Sequence, residues 1–410
     1  MQRLSIILAV AFALAAQAVA AQVAVPRLPP VDGVVGGLAE TVRETADPLL
    51  ETAEDLARER LRSIDRLVRR NRDAIERDRE GAPARRGVLL LLDPSAATLD
   101  ALSTGGFAIG AREDIAGIDL SLVSIRVPRT MSLAEAQALV QRLAPGAEIS
   151  PDHLYFTAGY ESAPVPAAPP APAPAPAPAT IATHIGVIDG APAKRLGIGN
   201  IRGFASGAPR ASDHGSAVAG LLVGEGARRI SVADVYGSDK AGGNALAIAR
   251  ALGWLVEEGA QVVSISLVGP NNAVLGRAIA AARRKGVTLV AAVGNDGPAA
   301  PPAFPASYHG VIAVTGVDRR DRALIEAGRA LHLDYAAPGE VDAWDARGKR
   351  RRMRGTSFAT PLVAVRAAAA IAAGRKVRPA LDREARDLGK KGPDDAYGRG
   401  LLCGSCGGRK

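Results

Sequence analysis

Short, continuous aliphatic runs alternate with stretches of helical periodicity between residues 181 and 402. The runs are Ile185–Asp189, Ile230–Val235, Val262–Leu267, Thr288–Val293 and Val311–Val317. Strands that are aliphatic throughout and alternate with helices indicate a parallel sheet buried on both faces. This part of the chain is therefore predicted to be a three-layer α/β domain, a mainly parallel sheet covered by helices on both faces. Ligands of such sheets bind beyond the carboxyl ends of the strands.

A different order of elements precedes this domain, in residues 87–160. The pattern is strand, helix, strand, strand, helix, strand over Val88–Leu92, Ala96–Leu102, Phe107–Arg112, Leu120–Val127, Leu133–Leu143 and Ala147–Phe156. This is the order of the split βαβ unit, so a small ferredoxin-like α+β module is predicted. The run from Ala163 to Ala179 is almost wholly alanine and proline, which predicts an extended linker over residues 161–180.

The N-terminus has the three parts of a secretory signal peptide. Arg3 is followed by an apolar stretch from Leu4 to Ala16 and by the small residues of Ala18-Val19-Ala20, so residues 1–21 are predicted to be cleaved off. A membrane anchor is the alternative, but the apolar run is shorter than the ~20 residues of a spanning helix. The mature protein is expected to be exported, either periplasmic or secreted.

Residues 22–86 are predicted to form a charged helical extension, with the helix beginning near Pro48 and ending near Gly81. Apolar residues recur along it at three- and four-residue steps, which gives one apolar stripe: Leu50, Ala53, Ala57, Leu61, Ile64, Val68 and Ile75. The favoured interpretation is packing on its own neighbour or on a second copy of the chain. A peripheral membrane helix is the alternative that its arginines suggest.

Composition excludes several other classes. The 410 residues are 48% hydrophobic, which excludes a wholly disordered chain. The net charge of +9 is not by itself a sign of nucleic-acid binding, and none is predicted. The only cysteines, Cys403 and Cys406, lie in a predicted tail of residues 403–410. They are predicted to form a terminal disulfide clip or to be a free pair. Neither a zinc-type cluster nor a calcium-type loop occurs in the sequence, so no metal and no cofactor is predicted.

Four polar residues stand at strand ends or helix starts of the α/β domain. Asp189 ends the first strand, His214 opens a helix of small residues, Asn295 follows a strand end, and Ser357 opens an apolar helix. Each also has a structural reading: an N-cap for Asp189 and Ser357, a turn residue for Asn295, and a surface or core residue for His214. Together they supply a carboxylate, an imidazole that is a suitable general base, an amide donor and a hydroxyl at a helix N-terminus.

The motifs around these residues resemble those of the subtilisin-like serine peptidases, the subtilases or peptidase S8 family. The motifs are Val187-Ile-Asp-Gly190, His214-Gly-x-x-Val-Ala-Gly220, Val293-Gly-Asn-x-Gly297 and Gly355-Thr-Ser-x-Ala-x-Pro361. The resemblance implies a subtilisin-like fold and a serine endopeptidase that acts through an acyl-enzyme. By the match, Asp189 orients His214, His214 takes the proton of Ser357, and Asn295 completes the oxyanion hole.

The resemblance also implies how substrate and propeptide are held. The segment Ser264–Gly269 is similar to the edge on which subtilases bind an extended peptide, so Ser264, Leu267 and Gly269, with Gly294, are predicted to bind a polypeptide substrate. The module at 87–160 resembles an inhibitory propeptide, which implies a proenzyme that cuts itself between Phe156 and Ile181. A cell-envelope binding or assembly protein that keeps the fold with little turnover is the alternative.

Two departures from the family pattern leave the proposed triad side chains in place. Ser216 stands where threonine is more usual after His-Gly, and Gly190 follows Asp189 directly where threonine or serine is usual. The domain predicted over residues 181–402 is also short for the family.

Overall fold

A computed structural model describes residues 55–158, 160–161 and 180–403 of the chain, and all of them fall within one compact unit. The predicted signal peptide, the extension before residue 55, most of the predicted linker and the tail beyond residue 403, with Cys406, lie outside the described residues.

The described elements are labelled in chain order. The strands are β1 (Ile75–Arg77), β2 (Pro83–Leu92), β3 (Ala108–Ile115), β4 (Leu120–Arg126), β5 (Ile149–His153), β6 (Phe156–Thr157), β7 (Tyr160–Glu161), β8 (Ile185–Asp189), β9 (Asn200–Gly203), β10 (Ile230–Asp234), β11 (Val262–Ile265), β12 (Leu267–Val268), β13 (Thr288–Ala292), β14 (Ile312–Val317), β15 (Tyr335–Pro338), β16 (Glu340–Trp344) and β17 (Arg350–Arg354). The helices are α1 (55–70), α2 (Ala96–Thr104), α3 (Leu133–Leu143), α4 (Asp213–Gly224), α5 (Ala245–Glu257), α6 (Ala273–Arg284), α7 (Thr356–Ala372) and α8 (Val377–Glu384).

The α/β domain is built on a parallel sheet of seven strands in the order β15-β14-β13-β11-β8-β10-β9. Successive side chains of a strand point to opposite faces. Because helices cover both faces of this sheet, the side chains on both faces are apolar. In β8, Ile185 and Val187 pack with α4 and α7, and Ile188 packs with α5 and α6. The predicted three-layer α/β fold is confirmed.

The N-terminal module contains the predicted strands and helices in the predicted order. Its antiparallel sheet runs β3-β4-β2-β5. Leu89 and Leu91 of β2 pack with α2 and α3 on one face of this sheet. Leu90 and Leu92 pack on the other face, in one apolar cluster with α5 and α6 of the α/β domain. The two domains therefore share a core, and β2 is apolar throughout because both of its faces are covered.

The extension differs from the prediction, because its helix ends at residue 70 and not near Gly81. Asn71 closes α1 by donating its backbone N–H and its side-chain amide to Leu67 O, at 3.1 and 3.0 Å. The chain then turns, and Ile75 begins β1, which pairs with β2. Ile75 keeps the buried position that its spacing predicted, but it does so as a strand residue.

Helix α1 packs on its own chain. Leu67 and Val68 lie in a small cluster with Ile75 and Leu154, whereas Leu61, also in the predicted stripe, is 54% exposed. These contacts agree with the first part of the favoured interpretation, packing on a neighbouring part of the chain.

Ion pairs and buried hydrogen bonds join the module and its extension to the α/β domain. The ion pairs are Arg60–Asp296, Asp73–Lys240, Arg85–Asp239, Glu113–Arg250, Asp119–Lys285 and Glu148–Arg277. Asp152 accepts the N–H of Leu246 at 3.0 Å, in the first turn of α5. Burial raises the pKa of Asp152 to about 6, against the opposing effects of that N–H and of Arg85.

Within the described ranges, no single helix is long and apolar enough to cross a bilayer, and α7 with α8 meets those criteria only as a pair bent by 118°. Helix α7 is buried under the parallel sheet. It is a core helix of this domain.

A close glycine contact sets how near the module approaches α5. A Cβ atom on Gly117 would lie 2.0 Å from the carbonyl oxygen of Gly253. We therefore expect Gly117→Ala to force the two backbones apart and to lower the free energy of unfolding by about 1–3 kcal/mol, the usual cost of overpacking. The urea midpoint of the full chain measures this.

Gly224→Ala is the matched control, because a Cβ atom there meets open space. It should leave the midpoint unchanged or slightly higher. Equal midpoints for both variants would show that the contact between Gly117 and α5 is not tight.

Candidate active site

Asp189 and His214 form a buried pair at the carboxyl end of the parallel sheet. Asp189 is fully buried, and both of its carboxylate oxygens lie 2.9 Å from His214 Nδ1. The same carboxylate accepts the N–H of Gly190 at 2.7 Å. This pairing holds Nδ1 toward the carboxylate and leaves Nε2 as the nitrogen that can accept a proton.

One glycine, Gly215, allows this approach. His214 is the second residue of α4, whose N-cap Ser212 accepts the N–H of Gly215 at 2.9 Å. A Cβ atom on Gly215 would lie 2.1 Å from Gly190 O. The start of α4 can therefore lie against the end of β8 only with glycine at position 215.

Ser357 occupies the corresponding place on α7, as its second residue. Its backbone N–H, one of the unpaired donors at the helix N-terminus, donates to Ala158 O at 3.0 Å. Its hydroxyl donates to Ser266 O at 3.3 Å. His214 Nε2 is buried and bonds to no described residue, and the imidazole lies 5.3 Å from the Phe358 ring. Proton transfer to His214 therefore requires Ser357 Oγ to leave Ser266 and turn toward Nε2.

Asn295 faces the same carbonyl group. Its Oδ1 accepts the N–H of Thr356 at 3.0 Å, which fixes the orientation of the amide, and its Nδ2 donates to Ala158 O. Two donors, Ser357 N–H and Asn295 Nδ2, therefore converge on the Ala158 oxygen. This is the arrangement of an oxyanion hole.

The chain's own segment Tyr155–Ala158 lies extended across the site. Phe156 and Thr157 pair antiparallel with Val268 and Leu267, and the Ala158 N–H donates to Ser266 O at 3.1 Å. On the other side of the segment, the Tyr155 N–H donates to Gly243 O at 2.8 Å. The segment is thus held by main-chain bonds as an added strand, and its Ala158 carbonyl lies at Ser357.

Tyr155 is buried at the far end of this segment. Its hydroxyl donates to Pro270 O at 2.8 Å, and Tyr236 donates to Tyr155 O at 3.0 Å. A Cβ atom on Gly269 would lie 2.6 Å from the Tyr155 ring, so this position requires glycine. Burial, with a smaller contribution from Tyr308, raises the pKa of Tyr155 well above its usual value and keeps the hydroxyl protonated.

Beyond Ala158 the chain pairs with the strand that leads to Ser357. In β7, Tyr160 and Glu161 pair with Arg354 and Met353 of β17; Gly159 lies outside the described residues. The basic run around β17 is held by ion pairs, which include Arg351–Asp345 at 2.7 Å and Arg354–Glu326 at 2.6 Å. Antiparallel pairing with β16 makes β17 one strand of a hairpin, and acidic side chains pair with part of its positive charge.

Seven of the eight predicted site residues lie at the site, and one does not. The structure brings Asp189, His214, Asn295 and Ser357 together at the sheet end, and Leu267, Gly269 and Gly294 lie around the docked segment. The eighth residue differs. Ser264 is buried in β11, paired with Val187 and Val290, so it lies inside the parallel sheet.

Three residues that the sequence did not single out contribute to the site. Ser266 accepts from both Ala158 and Ser357, Val268 pairs with Phe156, and Thr356 holds the Asn295 amide. Ser266 and Val268 stand inside the edge segment that the sequence identified. Thr356 directly precedes the predicted nucleophile, so the Gly-Thr-Ser motif already contained it.

In residues 55–158 and 180–403, no group of three or more His, Cys, Asp or Glu side chains is placed to hold a metal ion. Cys403 is buried and disulfide-bonded.

Comparison with known sequences identifies a family for the α/β domain. Residues 202–400 match the sequence model of the subtilase family. The chain is 38% identical over 119 residues to the thermophilic serine proteinase of Bacillus sp. (strain AK1), which is 28% of this chain and 29% of that protein. It is 34% identical over 119 residues to thermitase of Thermoactinomyces vulgaris, 28% of this chain and 42% of thermitase. Each match spans less than half of the relative's own length.

A solved structure shows the same fold. Fervidolysin from Fervidobacterium pennivorans, a keratinolytic enzyme related to subtilisin, superimposes with a TM-score of 0.61 at 16% sequence identity, over 78% of this chain and 60% of fervidolysin. Residues 181–402 alone cannot supply so large a share of this chain, so the likeness extends beyond the α/β domain.

The family match begins after Asp189 and includes His214. In the structure, the Asp189 carboxylate is hydrogen-bonded to His214, so Asp189 belongs to the same site. The fold, the motif order and the sequence match lead to one conclusion: the α/β domain of this chain belongs to the subtilase family.

Proposed function

We propose that the protein is an exported serine endopeptidase with an Asp189-His214-Ser357 triad, made as a proenzyme. One observation carries this proposal: Ala158 O accepts hydrogen bonds from Ser357 N–H and Asn295 Nδ2 while its own chain lies as an added strand in the cleft. A peptide carbonyl held in this way is a substrate carbonyl. The pattern of residues 1–21 supports export, and the substrates are polypeptides.

The reaction begins when Ser357 Oγ turns from Ser266 O toward His214 Nε2. Oγ forms a bond to the carbonyl carbon of Ala158 while Nε2 takes its proton, and Asp189 stabilises the imidazolium that results. The negative charge develops on Ala158 O, where the two donors already lie. The C–N bond to Gly159 then breaks, the amine takes the proton from His214, and water hydrolyses the Ala158 ester by the same steps.

The proenzyme is therefore proposed to cut its own Ala158–Gly159 bond, within the interval that the sequence predicts. The module holds the segment in the cleft through the apolar face of β2 and the ion pairs described above. The alanine and proline run from Ala163 to Ala179 spans roughly 50 Å at ~3.1 Å per residue, so the new N-terminus can leave the cleft.

One observation favours a second candidate, a cell-envelope binding or assembly protein with little turnover: Ser357 Oγ bonds to Ser266 O and not to His214. A fluorophosphonate probe separates the two candidates, because only an activated serine is labelled readily. Labelling of the processed protein is expected, and its absence would favour the binding protein.

Ser357→Ala should abolish self-cleavage, because it removes the nucleophile, and alanine is well tolerated in a helix. N-terminal sequencing of purified wild type should find a new terminus at Gly159, and the variant should remain intact. Ser103→Ala, an exposed serine of α2, is the matched control and should process normally. The same fragment in Ser357→Ala would point to another protease.

Asn295→Ala should slow self-cleavage by about 10²–10³-fold, the loss known for one oxyanion donor in a subtilisin. The self-cleavage rate is the right readout because the substrate is already bound, so a change in substrate affinity cannot imitate the effect. Asn200→Ala, at the exposed sheet edge, is the control. A self-cleavage rate reduced less than tenfold would show that Asn295 is not an oxyanion donor.

A further inference from the structure

We propose that Val268 narrows the pocket for the side chain that precedes the cleaved bond, so that the enzyme selects polypeptides with a small residue, above all alanine, at that position. This specificity rests on the proposed peptidase function. The residue that fills the pocket in the structure is Ala158, which is 2% exposed.

The walls of this pocket are small residues and one valine. Ala158 lies in an apolar cluster with Val268 and Ala292, and Ala303 packs against it. Of these, Val268 has the largest side chain, and its branched Cβ limits it to few rotamers. The pocket is therefore shaped by the two methyl groups of Val268.

The space opposite Val268 is narrow. A point placed where Gly294 would carry its Cβ lies 3.4 and 3.6 Å from the two Val268 methyl carbons and 3.8 Å from Ala303 Cβ. Both side chains are thus already at van der Waals distance from one carbon-sized position. A long or aromatic side chain entering beside Gly294 would meet Val268.

Main-chain hydrogen bonds fix these walls. Gly269, next to Val268, exchanges two bonds with Phe304, at 2.9 and 3.0 Å. Gly294 O accepts the N–H of Gly328 at 2.7 Å, and Ala303 N–H donates to Arg329 O at 2.7 Å. Widening the pocket would require these bonds to break, so the side chain of Val268 sets its width.

The first test measures kcat/KM of the processed enzyme on peptides Tyr-Phe-Thr-X with a chromogenic leaving group, where X is alanine or phenylalanine. The other residues repeat the chain's own segment, so only the last side chain changes. Wild type should prefer alanine by about tenfold or more, the scale that a few methylenes set in an apolar pocket. Val268→Ala should raise the ratio of phenylalanine to alanine cleavage at least about tenfold.

Val223→Ala is the matched control, since Val223 lies in the last turn of α4, outside the cluster around Ala158. It should leave the ratio at the wild-type value. Equal cleavage of the two peptides by wild type, or an unchanged ratio in Val268→Ala, would overturn the proposal.

The second test does not need turnover, and it uses the full chain carrying Ser357→Ala. Ala158→Phe should speed hydrogen exchange of the 155–158 backbone, because the larger ring cannot enter the pocket. Adding Val268→Ala should restore slow exchange to the Ala158→Phe chain. Failure of this rescue would refute the narrow pocket even if peptides are cleaved, whereas rescue without any peptide cleavage would refute only the proposed function.

Discussion

The Ala158 carbonyl oxygen, held between Ser357 N–H and Asn295 Nδ2, is the contact on which the rest of the site depends. Both donors lie where α7 begins, at an N-terminus whose unpaired N–H groups favour negative charge. The Asn295 amide can point at the oxygen because its other atom accepts Thr356 N–H. Thr356, Ser357 and Asn295 thus form one hydrogen-bonded unit, in which both donors already point at the same oxygen.

The module brings the segment to this unit through packing that starts far from it. Strand β2 is apolar on both faces, one covered by α2 and α3 and the other by α5 and α6. Its neighbour β5 leads directly into the docked segment Tyr155–Ala158, and Asp152 at its end bonds to the first turn of α5. The position of Ala158 is therefore set by the same core that holds the two domains together.

Sequence reasoning predicted the features that follow from periodicity and motif order. The parallel sheet, the module's elements and the four site residues, of which Ser357 is one, all carry strong local patterns. It was wrong about where α1 ends, because Ile75 continues the helical spacing although the chain has already turned at Asn71. It placed Ser264 at the edge because the resemblance covers the whole segment Ser264–Gly269, whereas the parallel strand ends at Ile265 and the edge begins at Ser266. The hydroxyl direction of Ser357 is a rotamer choice that no sequence pattern encodes.

The central claim is that Ser357 attacks the Ala158 carbonyl of its own chain. Self-processing at a series of protein concentrations, followed by mass spectrometry of the released N-terminal fragment, tests it most directly. A fragment that ends at Ala158 and forms at a rate independent of protein concentration is predicted, whereas a rate that rises with concentration would mean that one molecule cuts another. A fragment that ends at another residue, or a chain that stays intact while labelling with fluorophosphonate, would contradict it.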